Sequence, residues 1–201
     1  MAMRSGGSIS PGRDQQTTDA VVVFAVGGNA LSSGASTAEE ISANAAVVAE
    51  QVAAICRAGH KVLVVHGNGP QVGALALAQE AVAPEVPPQS LDVLGAMTQG
   101  QLGYVLMGAV GAALDGAGRT GGVSALVTRV VVDADDPGFA NPTKPIGPFF
   151  PEGRARRLAV ARGWSVAEDS GRGWRRVVPS PSPVEVIEWP RVADLLARHS
   201  G

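Results

Sequence analysis

Two short glycine–asparagine stretches are the clearest candidates for chemistry in this sequence. Gly27-Gly28-Asn29 follows the apolar run "VVVFAV", and Gly67-Asn68-Gly69 follows the run "KVLVVH". Backbone N–H groups at the end of a strand, with no side chain to obstruct them, can bind a phosphate or a carboxylate. Neither stretch is a Walker A motif or a G-x-G-x-x-G fingerprint. Each stretch taken alone is therefore more often a plain turn, and the pair is the better indication of an anion site.

A lysine placed between prolines is the second candidate. Lys144 lies in "NPTKPIGPFF", after Pro142 and before Pro145. Because proline fixes φ, the predicted loop should present this lysine in a limited set of positions. A cation held in this way suits the neutralisation of charge on a phosphoryl group. The residues alone still favour the other interpretation, which is a surface lysine in a proline-rich loop.

The remaining polar candidates favour structural roles. His66 ends a predicted strand with no carboxylate partner nearby in sequence, which favours a histidine hydrogen-bonded at the strand end. Asp133, Asp135 and Asp136 could suggest a Mg²⁺ site, but a solvated turn is the better interpretation. One cysteine and scattered histidines predict no transition-metal site.

Charge and composition argue against nucleic acid and membranes as partners. The chain has 16 basic and 18 acidic residues, and its net charge is -2. Arg172, Arg175 and Arg176 cluster around Trp174, a pattern that can stack RNA bases. One short cluster in a net acidic chain indicates instead a connector whose charges are solvated or paired. No apolar run reaches the roughly 20 residues that span a bilayer.

The predicted elements place both glycine stretches at one edge of a sheet. Residues 21–26 and 61–66 predict buried strands, and the helix between them begins with Thr37 as its N-cap. Pro70 begins a second helix that runs to about residue 82. Alternating strands and helices are typical of a parallel sheet, whose ligands bind at the carboxyl ends of the strands. The two stretches are therefore expected to line one crevice.

Beyond residue 90 the pattern is less regular. A long helix is predicted from Ser90, with one apolar stripe that runs from Leu91 through Leu102 to Ala109 and Ala112. Its many glycines suggest that another backbone or a partner subunit packs closely against it. Residues 122–133 predict a third strand. The proline-rich residues 133–153 show neither helical nor strand periodicity and predict an ordered excursion or lid outside the core. A short helix near residues 153–162 and a closing helix near 190–198 follow.

Length and composition are those of an ordinary globular chain. The 201 residues are 45% hydrophobic, which is ample material for a core. The single Cys56 lies in an apolar helical pattern, so no disulfide framework is possible and a reducing compartment fits. Residues 1–19 lack the apolar segment of a secretory signal, and their composition predicts a disordered tail.

Six segments, taken in order, resemble the carbamate kinases, a branch of the amino-acid kinase family. They are "VGGNAL", "VVHGNGPQVG", "AMTQGQLGY", "VVVD", "NPTKPIGPFF" and "EDSGRGWRRVVPSP". The resemblance implies reversible phosphoryl transfer between ATP and carbamate, which in the catabolic direction yields ATP from carbamoyl phosphate and ADP. It implies an α/β fold: a three-layer α/β/α sandwich with a mainly parallel sheet. One domain over residues 20–201 is expected to carry a small protruding subdomain at about 134–178.

The resemblance also assigns roles to individual residues. By it, Gly27, Gly28 and Asn29 form the first substrate loop, and Gly67, Asn68 and Gly69 form the second. Lys144 matches the lysine that the protruding subdomain brings to the carbamoyl phosphate. Many relatives in the wider family have a lysine two residues before the paired glycines, whereas this chain has Ala25, as carbamate kinases do. The family further implies Mg²⁺, a homodimer and a cytoplasmic location.

The end of the chain departs from the family pattern. The family places nucleotide binding in a C-terminal half with a further glycine-rich loop, and no such segment follows Gly201. We therefore expect this chain to correspond to the N-terminal, substrate-binding part. Three functions stay open: a carbamate kinase, a non-catalytic fragment that keeps only anion binding or dimerisation, and an amino-acid kinase relative with another acceptor.

Overall fold

A computed structural model describes residues 20–32, 37–83, 85–116 and 122–198. Residues 1–19, predicted to be a disordered tail, lie outside these ranges. The helices in the described ranges are α1 (Gly28–Leu31), α2 (Ala38–Arg57), α3 (Gly69–Ala81), α4 (Leu91–Asp115), α5 (Glu152–Arg162) and α6 (Trp189–Arg198). The strands are β1 (Val21–Val26), β2 (Lys61–His66), β3 (Val130–Val132), β4 (Lys144–Phe150), β5 (Ser165–Glu168), β6 (Trp174–Val178) and β7 (Pro183–Val186).

The first strand–helix–strand unit has the structure that the sequence predicts. β1 and β2 pair in parallel, in a register that runs from Val21 opposite Lys61 to Val26 opposite His66. The hydroxyl of Thr37 accepts a hydrogen bond from the backbone N–H of Glu40 at 3.2 Å, which confirms the predicted N-cap of α2. The two runs of β-branched residues thus form strands whose carboxyl ends meet at one edge.

Helices α2 and α4 cover one face of this two-stranded sheet. The core between them contains Val26 of β1 and a stripe of α4 residues spaced four apart, Leu102, Leu106, Val110 and Leu114. The sequence predicts a different stripe at the C-terminal end of α4, through Ala109 and Ala112. The helix is apolar on nearly all sides, so periodicity does not decide which side is buried.

The opposite face of the same sheet is open in the described residues. Val21, Val23 and Val65 are exposed there, although parallel strands are normally covered on both faces. A layer of helices over these valines would complete the three-layer sandwich expected of the α/β fold. The described part of the chain supplies the sheet and one of the two helical layers.

The predicted third strand is mostly not a strand. Of residues 122–133 only β3 enters a ladder, and it pairs antiparallel with β7. The side chain of Gln99 on α4 takes the place of a neighbouring strand at Thr128: its amide oxygen accepts the Thr128 N–H at 2.8 Å, and its amide nitrogen donates to the Thr128 carbonyl at 3.1 Å. A side chain thus satisfies backbone groups that a sheet partner would otherwise bind.

A second, antiparallel sheet includes part of the segment predicted to be an excursion or lid. Its strand order is β4-β6-β5, and α5 packs against β5 and β6. The prediction that this segment lies outside the core is wrong for β4, because Ile146 is buried in a hydrophobic cluster with residues of α3 and α4. β4 is also a regular strand, although it includes Pro145 and Pro148. Prolines are tolerated in edge strands, where their missing N–H faces no partner, and β4 is an edge strand. These elements fall within the range 134–178.

Candidate anion and phosphoryl site

The two glycine loops touch each other, as their places after parallel strands predict. An ideal Cβ atom built on Gly67 would lie 3.0 Å from the backbone nitrogen of Gly28, and one built on Gly28 would lie 3.0 Å from Cδ of Pro70. The Gly67 N–H also donates to the carbonyl of Val26 at 2.9 Å. Side chains at these positions would push the loops apart. The glycines therefore allow two backbone segments to form one surface.

Lys144 begins a strand that lies against the second loop. An ideal Cβ on Gly69 would lie 3.3 Å from the carbonyl oxygen of Pro145, the residue directly after Lys144. Lys144 is exposed and pairs with Val178 of β6 across the sheet. Among the described residues, no side chain forms a hydrogen bond or an ion pair with its ammonium. The sequence predicted a proline-framed loop here; the lysine is instead held by the first ladder position of β4.

The middle of β4 is held by a buried arginine. Arg175 of β6 is 3% exposed, and its Nε donates to the carbonyl oxygen of Gly147 at 2.9 Å. The ladder between β4 and β6 shifts register between Ile146 and Phe150, and Gly147 has a φ of 74°. Arg175 therefore anchors the irregular part of the strand that begins with Lys144.

Asp169 completes this anchor. Its Oδ2 accepts from Nη1 of Arg175 at 3.0 Å, and its Oδ1 accepts from Arg172 at 3.2 Å. Burial of the carboxylate works against its ionised form, but the hydrogen bonds from Arg175, Ser170 and Arg172 hold the pKa of Asp169 below its ordinary value. The charges of this arginine cluster are paired, which agrees with the prediction from sequence, although Arg175 and Arg176 lie in a strand instead of a connector.

A second group of charges joins the antiparallel sheet to α3. Each carboxylate oxygen of Glu80 accepts from a different arginine: Oε1 from Arg176 at 2.9 Å and Oε2 from Arg162 at 3.0 Å. Both guanidinium groups also lie about 5 Å from the ring of Trp164, at 5.0 Å and 5.1 Å. Because Arg176 is opposite Ile146 of β4, this group fixes the strand that carries Lys144 relative to α3.

The two loop asparagines are placed differently. The amide nitrogen of Asn68 donates to the Thr98 hydroxyl at 3.0 Å and to the Gly95 carbonyl at 3.2 Å, both on α4. The side chain of Asn68 therefore anchors the second loop on α4, and these two bonds restrict a loop whose flanking glycines have no side chains of their own. The backbone of Asn29 lies in the single turn of α1, directly after β1.

Two further candidates have the structural roles that the sequence favours. Nδ1 of His66 lies 3.4 Å from the carbonyl oxygen of Gly67, at the end of its strand. Asp136 accepts from the backbone N–H groups of Ser182 and Gly138, which lower its pKa, and Asp133 accepts from the N–H of Asp135. These carboxylates organise a turn. The described residues contain no group of three or more His, Cys, Asp or Glu that could hold a metal ion.

Sequence reasoning missed the contacts that hold β4 in place. A Cβ atom on Gly73 would overlap the backbone of Gly147, so α3 lies directly against the strand there. Gly73 and Glu80 act through residues many positions away, and no local pattern distinguishes them. The sequence singles out Arg175, but as part of a connector and without its partner Gly147. The only available signal is the alternation of arginine with aromatic residues in residues 162–176, which suggests stacking without naming the partner. The described residues include no helix long and apolar enough to cross a membrane.

Comparisons with known proteins agree with this architecture. The chain is 46% identical over 181 residues to the carbamate kinase of Pyrococcus furiosus and 47% identical over 182 residues to that of Thermococcus kodakarensis. Each match covers 88% of this chain but 58% of the relative, so the chain spans less than two thirds of the length of these curated relatives. The structure of the Giardia lamblia carbamate kinase bound to citric acid superposes with a TM-score of 0.87 at 38% identity, over 90% of this chain and 60% of that one.

The family assignment rests on the part of the chain that carries both glycine loops. The family model described as "Amino acid kinase family" matches residues 20–130, which is more than half of the chain. The matched range includes β1, β2 and the helices that position the loops. The chain belongs to the amino acid kinase family.

Proposed function

We propose that this chain forms the acyl-phosphate-binding part of a carbamate kinase, an enzyme that transfers a phosphoryl group reversibly between ATP and carbamate. One observation carries the proposal: three separate segments meet, with Gly28 against Gly67 and Gly69 against Pro145. Two loops rich in bare N–H groups thus lie beside the strand that begins with the exposed Lys144. The identity of 46–47% to carbamate kinases supports this substrate over other acceptors of the family.

The proposed chemistry uses the three segments in distinct ways. The N–H groups of residues 27–29, 68 and 69 bind the anionic acyl phosphate, because strand-terminal backbone groups and the start of α3 favour negative charge. The Gly67 N–H is already bonded to the Val26 carbonyl, so Gly67 contributes its lack of a side chain. In the catabolic direction a terminal oxygen of ADP attacks phosphorus and forms the new P–O bond. The bond to the carbamoyl oxygen breaks, and its electron pair leaves with carbamate. Lys144 offsets the charge on the transferring phosphoryl oxygens.

The family implies Mg²⁺, but the side chains of the described residues form no site that could bind it. No group of three carboxylates or histidines comes together in the described ranges. In phosphoryl transfer Mg²⁺ is commonly held by the nucleotide phosphates with one or two carboxylates. ATP and ADP are substrates in this proposal, and their binding residues are not assigned to the described part of the chain.

A second candidate function is acyl phosphate binding without turnover. The observation that favours it is the span of the chain, which covers 58% of the length of its carbamate kinase relatives. Catalysis of phosphoryl transfer depends on positioning both substrates. A chain that positions only one of them binds that substrate and does not accelerate transfer. We further propose the homodimer and the cytoplasmic location that are usual in the family.

Two measurements on the purified 201-residue chain test the proposal. Carbamoyl phosphate binding is measured by calorimetry in the cold, and ATP formation from ADP and carbamoyl phosphate is measured by luminescence. We expect saturable binding that Lys144→Ala weakens, together with negligible ATP formation. Failure to bind carbamoyl phosphate would contradict the proposed site. Robust ATP formation that Lys144→Ala abolishes would support the complete kinase function and rule out the binding-only alternative.

A further inference from the structure

The side chain of Gln71 is buried, and neither of its two polar atoms has a hydrogen-bond partner among the described residues. It lies in the first turn of α3 and is 3% exposed. Neither its amide nitrogen nor its amide oxygen has a hydrogen-bond partner in the described part of the chain. Leaving a buried donor or acceptor unsatisfied costs about 1–3 kcal/mol, so buried amides in folded proteins are nearly always bonded. A primary amide kept bare at this position therefore needs a partner from outside the described chain.

Two other residues of the described chain have one buried polar atom each without a hydrogen-bond partner, and neither lies next to the glycine loops in sequence. Arg175 has one free nitrogen but forms two other hydrogen bonds through its guanidinium. His60 lies directly before β2, at the end of the sheet far from the glycine loops. Gln71 differs because both of its polar atoms are bare and because it follows the second loop by two residues.

The neighbours of Gln71 in α3 show what surrounds the first turn of this helix. Gly69 contacts the carbonyl of Pro145, Pro70 contacts Gly28, and Gly73 contacts Gly147. Helical geometry places Gln71 about 200° around the axis from both Gly69 and Gly73, on the side turned away from β4. The amide is thus buried within a turn that touches the first loop, the second loop and the strand of Lys144.

We propose that Gln71 recognises the carbamoyl group of the substrate, and this inference rests on the proposed function. A carbamoyl group presents an N–H donor and a carbonyl acceptor side by side. The Gln71 amide oxygen accepts from the substrate amino group, and its amide nitrogen donates to the substrate carbonyl. The phosphoryl end of the substrate then lies toward Lys144. Gln71 selects carbamoyl phosphate over acyl phosphates that lack the amino group.

Acetyl phosphate is the discriminating probe because it has a methyl group in place of the amino group. In the wild-type chain it leaves the Gln71 oxygen bare, so we expect it to bind about tenfold or more weakly than carbamoyl phosphate. Gln71→Met keeps a similar volume without either polar atom. This variant should bind both acyl phosphates within about threefold of each other, and its Tm should stay equal to or rise above that of the wild type.

The experiment compares affinities and Tm for the wild-type chain, Gln71→Met, Gln71→Leu as a second apolar variant, and Gln89→Met as a control at an exposed glutamine just before α4. Loss of the carbamoyl preference without loss of Tm in a Gln71 variant, with the preference kept in the control, supports the inference. A preference that survives in the Gln71 variants overturns it, and so does a fall in Tm in both variants, which would give the amide a structural role. Equal binding of both acyl phosphates by the wild type overturns the inference alone; binding of neither overturns the proposed function as well.

Discussion

An ideal Cβ atom on Gly73 would lie 2.0 Å from the amide nitrogen of Gly147, so α3 and β4 meet backbone to backbone. The contact is reciprocal, because a Cβ on Gly147 would lie 3.3 Å from the Cα of Gly73. Gly147 has a φ of 74°, a backbone conformation that residues other than glycine rarely adopt. This contact sets how closely the strand of Lys144 approaches the helix that follows the second loop.

Gly73→Ala should destabilise the chain by at least about 1–3 kcal/mol, because the new methyl group meets backbone atoms that cannot rotate away. Gly153→Ala is the matched control. Its Cβ would meet only the flexible Arg157 side chain at 3.7 Å, so this change should be neutral or stabilise by up to about 1 kcal/mol. Urea unfolding followed by circular dichroism measures both effects. Equal unfolding midpoints for the two variants would contradict the backbone contact.

The two lysines of the chain should separate binding from stability. Lys144→Ala should weaken carbamoyl phosphate binding and leave the Tm unchanged, because the exposed ammonium has no partner among the described residues. Lys61→Ala should lower the Tm and leave binding intact, because the Lys61 ammonium donates to the Leu196 carbonyl at 2.9 Å, at the other end of β2. Calorimetry and thermal melts check the pair. Unchanged binding in Lys144→Ala together with weakened binding in Lys61→Ala would indicate that Lys144 is an ordinary surface lysine.

In an active protein that also contains a nucleotide-binding part, Lys144→Ala should lower kcat by about 10²–10³, the usual cost of losing one preorganised donor. Lys144→Arg should recover only part of the rate, because a planar guanidinium does not occupy the position of an ammonium. Steady-state rates with both substrates saturating measure the effect. An alanine variant with kcat close to that of the wild type would exclude a role in phosphoryl transfer.

Glu80→Ala should destabilise the attachment of the antiparallel sheet by about 1 kcal/mol, since it removes the acceptor shared by Arg162 and Arg176. The difference from wild type should shrink at high salt, which screens partly exposed charges. The exposed Glu85, four residues after the end of α3, provides the control substitution. Urea unfolding at low and high salt gives the comparison. Equal free energies of unfolding for Glu80→Ala and Glu85→Ala at both salt concentrations would show that Glu80 does not stabilise this attachment.

Acidification should destabilise the chain through Asp169. Its pKa is lower in the folded chain than the ordinary value of about 3.9, so its contribution is fully present above that value and is lost as the pH falls through the folded pKa. The free energy of unfolding should therefore decline below about pH 5, and Asp169→Asn should flatten that decline while lowering stability at pH 7. Substitution of the exposed Asp115 serves as the control. An unchanged acid slope in Asp169→Asn would assign the decline to other carboxyls.

The long helix α4 should mediate self-association. Between Asp92 and Asp115 it carries no charged residue, and Tyr104 in its middle is 75% exposed. Exposed uncharged surfaces of this length are uncommon on monomers, so we expect a dimer or a larger species in light scattering. Tyr104→Arg should shift the chain toward monomer, whereas Val160→Arg, at an 89% exposed position of α5, should not. A monodisperse monomer for the wild-type chain would contradict this prediction.

The sequence predicts the first part of the fold well because local signals and tertiary structure agree there. The bounds of β2 match the predicted residues 61–66, since a β-branched run is closed by glycine on either side. The meeting of the two loops also follows from sequence, because parallel strands place their carboxyl ends at one edge. Tertiary partners decide the rest. Gln99 replaces a strand at Thr128, and β4 accepts two prolines because it is an edge.

The sequence predicts the glycine loops of the candidate site, but not the residues that hold the neighbouring segments in place. A glycine pair at a strand end is visible locally, whereas the contact of Gly73 with Gly147 joins residues that are far apart in the chain. The bare amide of Gln71 is likewise a property of its surroundings, because a glutamine in a first helical turn is ordinarily solvated. Sequence periodicity does not show which buried polar side chain lacks a hydrogen-bond partner in the folded chain.

The bond between Gln99 and Thr128 has a consequence for aggregation. Residues 126–132 form an extended, β-branched and largely exposed segment, the kind of sequence that recruits identical strands from other molecules. Gln99 occupies the N–H and C=O that Thr128 presents on one side, and Glu188 accepts the N–H of Arg129, which points to the other side. Both edges of the segment are thereby blocked at adjacent residues. We therefore expect Gln99, a side chain on a helix, to hinder the addition of further strands to this segment.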